Sequence, residues 1–342
     1  MANIGPTPDV ETFNTLQARG DASMRESWGI SPVEGIETQR LPQFTPWNPD
    51  CCHKGVKVAK RETEMFPPRK ILFPVDFSER CTAAASMVET IADHFKADLT
   101  MLHVVEPIMY TDLPVDMSSI AEEQLNGYMP ESFQGCGVER VLLHGDAAHK
   151  IVDFAHAGRF NLIMLPTHGY GRFRRFILGS VAAKVLHDAR CPVWTGAHME
   201  PTPNPENLEF RNVVCAIDLG KQSCQALRWA GLFANEFGAH LTIVHAVPTA
   251  KDHPNIYCDQ DWKYELVRGA REKIQGLQRS LGLDATISVI PDEAPFAVST
   301  TATHTNADLL VIGRSIEDGM LGRLRTNAYS IIRQSPCPVV SV

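Results

Sequence analysis

From about residue 67 to its last residue, the chain alternates short apolar runs with stretches of helical periodicity. The run Ile71-Leu72-Phe73-Pro74-Val75 is followed by Ala84, Met87, Val88, Ile91, Ala92 and Phe95, which recur at three- and four-residue spacing and predict an amphipathic helix over 79–95. Further runs near 98–104, 139–144, 161–165 and 192–195 are too short for helices and, with the run at 70–75, read as buried strands. A second set of strands is predicted near 212–217, 240–246, 286–290, 308–312 and 338–342. Its helix over 221–237 carries Ala226, Ala230, Phe233, Ala234 and Phe237 on one face. Strands alternating with helices in this way specify β-α-β units on a parallel sheet.

The two sets are copies of one domain. Leu99-Thr100-Met101-Leu102-His103-Val104-Val105 recurs as Leu241-Thr242-Ile243-Val244-His245-Ala246-Val247, and Asp76 recurs as Asp218 at the same distance along the chain. Cys191-Pro192-Val193 is answered by Cys337-Pro338-Val339. Residues 67–198 and 208–342 are therefore expected to be the two domains, with the proline-rich segment 199–207 as a short, stiff linker. Residues 1–66 show no sustained periodicity and carry prolines at 6, 8, 32, 42, 46 and 49. They are expected to form an irregular or partly disordered arm without a core of its own, which either wraps the folded part through Trp28, Phe44 and Trp47 or stays mobile.

Charge narrows the partners. With 32 Lys+Arg against 40 Asp+Glu the formal net charge is −8, which argues against a dedicated nucleic-acid binder. The N-terminus lacks the basic and apolar segments of a signal peptide, and no stretch approaches 18 consecutive apolar residues. A cytoplasmic location without membrane contact is expected. Nine cysteines, an odd number without C-x-x-C spacing, fit reduced thiols. Cys51-Cys52-His53 does not make a metal site, because adjacent residues chelate poorly and no second ligand pair has the spacing.

In an open parallel sheet, ligands lie beyond the carboxyl ends of the strands where the connections diverge. For a strand order of 3-2-1-4-5 that crevice falls between strands 1 and 4, bringing together Pro74, Val75 and Asp76, then Val104, then the segment from Leu165 and Pro166 onward. That segment contains Thr167, His168, Gly169, Gly171 and Arg172. It ends at Gly179-Ser180-Val181, where a helix begins whose free N–H groups suit phosphate.

Three features together resemble the universal stress protein (UspA-like) family: Lys70-Ile71-Leu72-Phe73-Pro74-Val75-Asp76-Phe77-Ser78-Glu79, the strand end Leu102-His103-Val104-Val105, and Gly169 followed after nine residues by Gly179-Ser180. The resemblance implies two tandem doubly wound, Rossmann-like domains, each a five-stranded parallel sheet of order 3-2-1-4-5. It also implies that Pro192-Val193-Trp194-Thr195 pairs with Pro338-Val339-Val340-Ser341-Val342 to make an intramolecular pseudo-dimer, with further homodimerisation left open. For the ATP-binding branch it assigns Asp76 and the Val75 and Val104 backbones to adenine and ribose. It assigns Gly169, Gly171, Arg172, Gly179, Ser180 and Val181 to the phosphates, with Mg²⁺ as an accompanying ion.

Neither repeat keeps every glycine of that pattern. Pro166 stands at the first glycine position of the first repeat and brings no N–H. In the second repeat Gly313 is present, but Ile316 replaces the glycine equivalent to Gly169, and Arg325-Thr326 replaces Gly179-Ser180. A structural role is expected of the second repeat. His103 and His245, at equivalent strand ends, read as hydrogen-bonded structural residues, while Arg172, Arg174 and Arg175 either steer a triphosphate or form a solvated basic loop. No Walker-type, dinucleotide or nucleophile-elbow motif is present, and a lone Asp76 gives no reason to prefer hydrolysis. The expected function is a stress-type regulator that binds ATP in its first repeat. The alternatives are a nucleotide-independent interaction module and, further off, a slow ATPase.

Overall fold

The computed structural model describes residues 65–106, 117–129, 133, 137–166, 178–196, 209–248, 260–314 and 326–342. The first repeat runs β1 (Lys70–Pro74), α1 (Glu79–Phe95), β2 (Asp98–Val105), α2 (Met117–Gly127), β3 (Val138–His144), α3 (Ala147–Ala157), β4 (Leu162–Pro166), α4 (Ser180–Asp188) and β5 (Val193–Gly196). The second repeats the order with β6 (Asn212–Ala216), α5 (Ser223–Phe237), β7 (His240–Val247), α6 (Gln260–Leu281), β8 (Thr286–Pro291), α7 (Ala294–His304), β9 (Leu309–Ile312), α8 (Thr326–Gln334) and β10 (Val339–Ser341).

All ten strands form one sheet in the order β3-β2-β1-β4-β5-β10-β9-β6-β7-β8. Within each repeat the described pairings are parallel, and the order is the expected 3-2-1-4-5, read in opposite directions in the two halves. The halves meet where β5 and β10 run antiparallel, with Trp194 opposite Val340. This pairing removes two sheet edges that would otherwise be open to association.

Alternating strand residues feed two cores, one on each face of the sheet. Ile71 and Phe73 pack with α1 and α5 side chains such as Val88, Ile91, Leu227 and Phe233, whereas Leu72 packs on the opposite face with α3, α4 and α8 residues such as Ile151, Val185 and Ile332. Both clusters run across the two repeats. Where α1 meets α5, Phe66 sets its ring edge-on to Phe95 of the first repeat (5.5 Å between centroids) and to Trp229 of the second (5.8 Å). The last residue assigned to the arm is thus wedged between the repeats.

Strand starts are fixed by side chains that reach across to the neighbouring strand. Asn161 Oδ1 accepts from the Arg69 and Lys70 N–H groups (3.0 and 2.9 Å), and Asp308 Oδ2 accepts from those of Arg211 and Asn212 (2.7 and 2.8 Å). Accordingly β4 begins at Leu162 rather than 161, and β9 at Leu309 rather than 308. The helix expected from 221 begins at Ser223, because Leu219 takes a positive φ of 60° and Asp218 Oδ1 holds the Gly220 N–H in a turn first. Trp28, Phe44, Trp47, Cys51, Cys52 and His53 lie outside the described residues, as does the segment 199–207.

Candidate functional site

The crevice of the first repeat opens where β1 and β4 lie side by side and their connections depart to different faces. Pro74 closes β1 and Val75 and Asp76 follow it, while Leu165 and Pro166 end β4, with Pro166 opposite Gly196 of β5. Gly179, Ser180 and Val181 open α4. Thr167, His168, Gly169, Gly171 and Arg172 lie outside the described residues, as do Arg174, Arg175, Ile316 and Arg325.

Asp76 is held by the turn it begins. Its Oδ1 accepts from the Ser78 N–H (3.0 Å) and from the Cys81 thiol (3.0 Å), while Ser78 Oγ caps α1 by accepting from the Cys81 N–H (3.3 Å). Phe77 between them takes a positive φ of 62°. Burial, reinforced by the Asp76 charge, pushes the Cys81 thiol up to about 12, so it stays protonated and serves as a donor. The second repeat copies the turn, with Leu219 for Phe77, and Ser223 Oγ donating to Asp218 Oδ1 (3.3 Å) where Cys81 donates to Asp76. Cys81 is not among the residues that strand ends and glycine spacing single out. Its signal was an Asp followed five residues later by a small S–H or O–H donor, recurring as Asp218 and Ser223.

The Val75 and Val104 backbones differ in availability. The Val75 N–H donates to Leu102 O (2.9 Å), and its carbonyl accepts from His103 Nδ1 (2.8 Å), which carries the hydrogen because a carbonyl can only accept. In a parallel ladder, successive residues of a strand bond to alternate neighbours. Asp98 and Leu102 bond toward the β1 segment, and Val105 bonds toward β3 through the Gly145 N–H. Val104 belongs to the first series, one step beyond Pro74↔Leu102, the last pair of the β1–β2 ladder, so its N–H and C=O face the crevice. His245 reproduces the His103 contact on Ile217 O (2.8 Å), so both histidines are hydrogen-bonded at strand ends as expected.

Gly179 is the N-cap of α4 with φ −62° and ψ 151°, and no side chain caps the helix. Any residue adopts those angles, so the backbone does not require glycine here. The first bond of the helix runs from the Ala183 N–H to Gly179 O (2.8 Å), leaving the N–H groups of the first turn outside the intrahelical ladder. Such an end, with its dipole, attracts anions. Among the described residues no three His, Cys, Asp or Glu side chains gather in a way that would hold a metal ion.

With the fold and this geometry established, comparison with known proteins is decisive on one point. The universal stress protein family model matches residues 67–195 and again 209–342. The chain belongs to the universal stress protein family, and it carries two such domains in tandem. A universal stress protein of Methanocaldococcus jannaschii is 31% identical over 135 residues, 36% of this chain and 79% of that protein. One from Thermus aquaticus is 30% identical over 131 residues, 36% of this chain and 96% of that protein. The crystal structure of a universal stress protein from Archaeoglobus fulgidus aligns over 81% of this chain and 98% of its own with a TM-score of 0.62 and 22% identity, which extends the shared fold across both repeats.

Proposed function

We propose that the first repeat binds an adenine nucleotide, ATP with Mg²⁺ as its accompanying ion, and that occupancy alters the contacts this cytoplasmic regulator makes with other proteins. The observation that carries the reading is the Val104 peptide, whose N–H and C=O face the crevice one step past the end of the β1–β2 ladder. The N–H and C=O of one residue, which point to the same side of a parallel strand, offer one donor and one acceptor, the complement of adenine N1 and its 6-amino group. Asp76, fixed through Oδ1 by Ser78 and Cys81, would accept from ribose hydroxyls, and the uncapped start of α4 at Gly179, Ser180 and Val181 would receive phosphate. Pro74, Leu165, Pro166, Thr167, His168, Gly169, Gly171 and Arg172 complete the proposed lining.

Pro166 at the end of β4 favours the second reading, a scaffold that needs no nucleotide, since proline brings no N–H to that wall of the crevice. Competition between ATP and GTP separates the two. Guanine places an acceptor and a donor where adenine has a donor and an acceptor, so the Val104 peptide is mismatched to it. ATP is expected to bind at least about tenfold more tightly, the scale of one hydrogen-bond reversal. Equal affinities would contradict the Val104 role, and no binding of either would leave the scaffold reading.

A further inference from the structure

We propose that Arg314 of the second repeat is a positioning residue for the nucleotide site of the first; this rests on the nucleotide reading above. Strand register fixes its place in the repeat. Leu162 pairs with Ile71 in the first repeat as Leu309 pairs with Val213 in the second, so Arg314, just past β9, is the positional equivalent of Thr167. Its guanidinium nevertheless serves the other repeat. Nη1 donates to Leu186 O (3.2 Å) and Ala189 O (3.0 Å), Nη2 donates to Cys191 O, and the residue is 6% exposed.

Those carbonyls close the C-terminal end of α4, the helix whose N-terminal end is the proposed phosphate cradle. Helix-end carbonyls have no intrahelical donors, and a cation there interacts favourably with the helix dipole. A buried guanidinium is costly unless its donors are paired, so losing this arrangement of carbonyls is penalised and α4 is held in one position. Arg314 is itself anchored: its N–H donates to Val342 O (2.8 Å), and the Val342 N–H donates to Ile312 O (2.9 Å). Near the middle of α4, Tyr329 of α8 donates its hydroxyl to Ala183 O (3.5 Å). The nine residues of α4 span about 13 Å, with repeat-two contacts at the C-terminal end and near the middle.

By sequence the first repeat has Thr167, which carries no guanidinium, at the position of Arg314. The repeat that lost the Gly-Ser cradle supplies the clamp, and the repeat that retains the cradle receives it.

The test is titration of ATP into the full chain and into Arg314→Met and Arg314→Lys, with hydrogen exchange of residues 339–342 followed with and without nucleotide. Arg314→Met, which keeps a long stem but no donors, is expected to weaken ATP binding about fivefold or more, with Arg314→Lys intermediate. Because coupling is reciprocal and Arg314 is anchored on Val342, ATP should slow exchange at residues 339–342 of the native chain and no longer do so in Arg314→Met. If the native chain binds ATP while both variants match it and keep the exchange response, the proposal is overturned and the nucleotide reading stands. If the native chain binds no ATP, both fall. Should Arg314→Met fail to fold, Arg314→Lys beside Tyr329→Phe decides the matter, since native affinity in both overturns the role.

Discussion

Removing the ring of Phe66 tests whether the residue just before the first repeat holds the two repeats together. Truncating a fully buried phenylalanine to alanine costs about 3–5 kcal/mol. Phe66 is half-buried, which reduces that figure, but its ring makes edge contacts with Phe95, Trp229 and Phe233 at 5.5, 5.8 and 6.5 Å. Each well-placed aromatic pair contributes about 0.5–1.5 kcal/mol beyond burial. Phe66→Ala is therefore expected to lose about 2 kcal/mol. Equilibrium urea unfolding followed by tryptophan fluorescence reads this directly, because Trp229 reports from the contact itself. Tyr264→Ala, at a side chain 59% exposed on α6, is the comparator and should stay within about 0.5 kcal/mol of the native chain. A Phe66→Ala loss no larger than that of Tyr264→Ala would refute the wedge, and residue 66 would then belong energetically to the arm.

Cys81 should resist alkylation at pH 8 in the folded protein, with its thiol pushed up to about 12 by burial and Asp76, while half-exposed Cys224 reacts first among the described cysteines; mass spectrometry of partially modified protein checks their order. Cys81→Ser is expected to be nearly neutral, because Ser223 fills the same role beside Asp218, whereas Cys81→Val should cost about 1 kcal/mol by removing a donor from Asp76. Burial holds the His245 imidazole below the ordinary histidine value of 6.5, prevailing over the raising effects of Ile217 and Asp218, with Lys273 adding to the lowering. The unfolded chain then binds the proton first as pH falls, so this group's contribution to stability is present above about pH 6.5 and lost below it. His245→Asn, which keeps a donor for Ile217 O, should flatten the loss of stability between pH 7 and 5, and an unchanged pH profile would contradict the assignment.

Much of this architecture was legible because one repeat vouches for the other. The recurrence of Leu99–Val105 as Leu241–Val247 fixed the second strand of both domains, whereas the pairing of β5 with β10 was implied only by the resemblance to universal stress proteins. The helix over 79–95 was exact because Ser78 caps it and Lys96 ends it in the left-handed region. Helices α2, α3, α6 and α7 were not singled out. The exposed faces of α2 and α6 dilute the apolar stripe, and in α7 Thr301 and Thr305 return their hydroxyls to backbone carbonyls, giving a helix with little sequence contrast.

At the site, the positions of Asp76, Val104 and Gly179 followed from strand ends and glycine spacing. Which of the Val75 and Val104 peptides faces the crevice did not, since that depends on ladder alternation and on His103 occupying the Val75 carbonyl. Arg314 was illegible for a similar reason. Its partners Leu186, Ala189 and Cys191 lie more than 120 residues earlier, and they are backbone carbonyls, which leave no trace in side-chain identity.

Calorimetric titration of the full chain with ATP and Mg²⁺, beside Gly179→Arg, tests the central claim most directly. Gly179 has backbone angles open to any residue, so the substitution should leave the fold intact while placing a long side chain at the start of α4, in imitation of Arg325, which stands at the equivalent position of the second repeat by sequence. Saturable binding of about one nucleotide per chain, abolished in the folded variant, is the predicted result. Binding unchanged by Gly179→Arg, or no binding by the native chain at millimolar ATP, would contradict it.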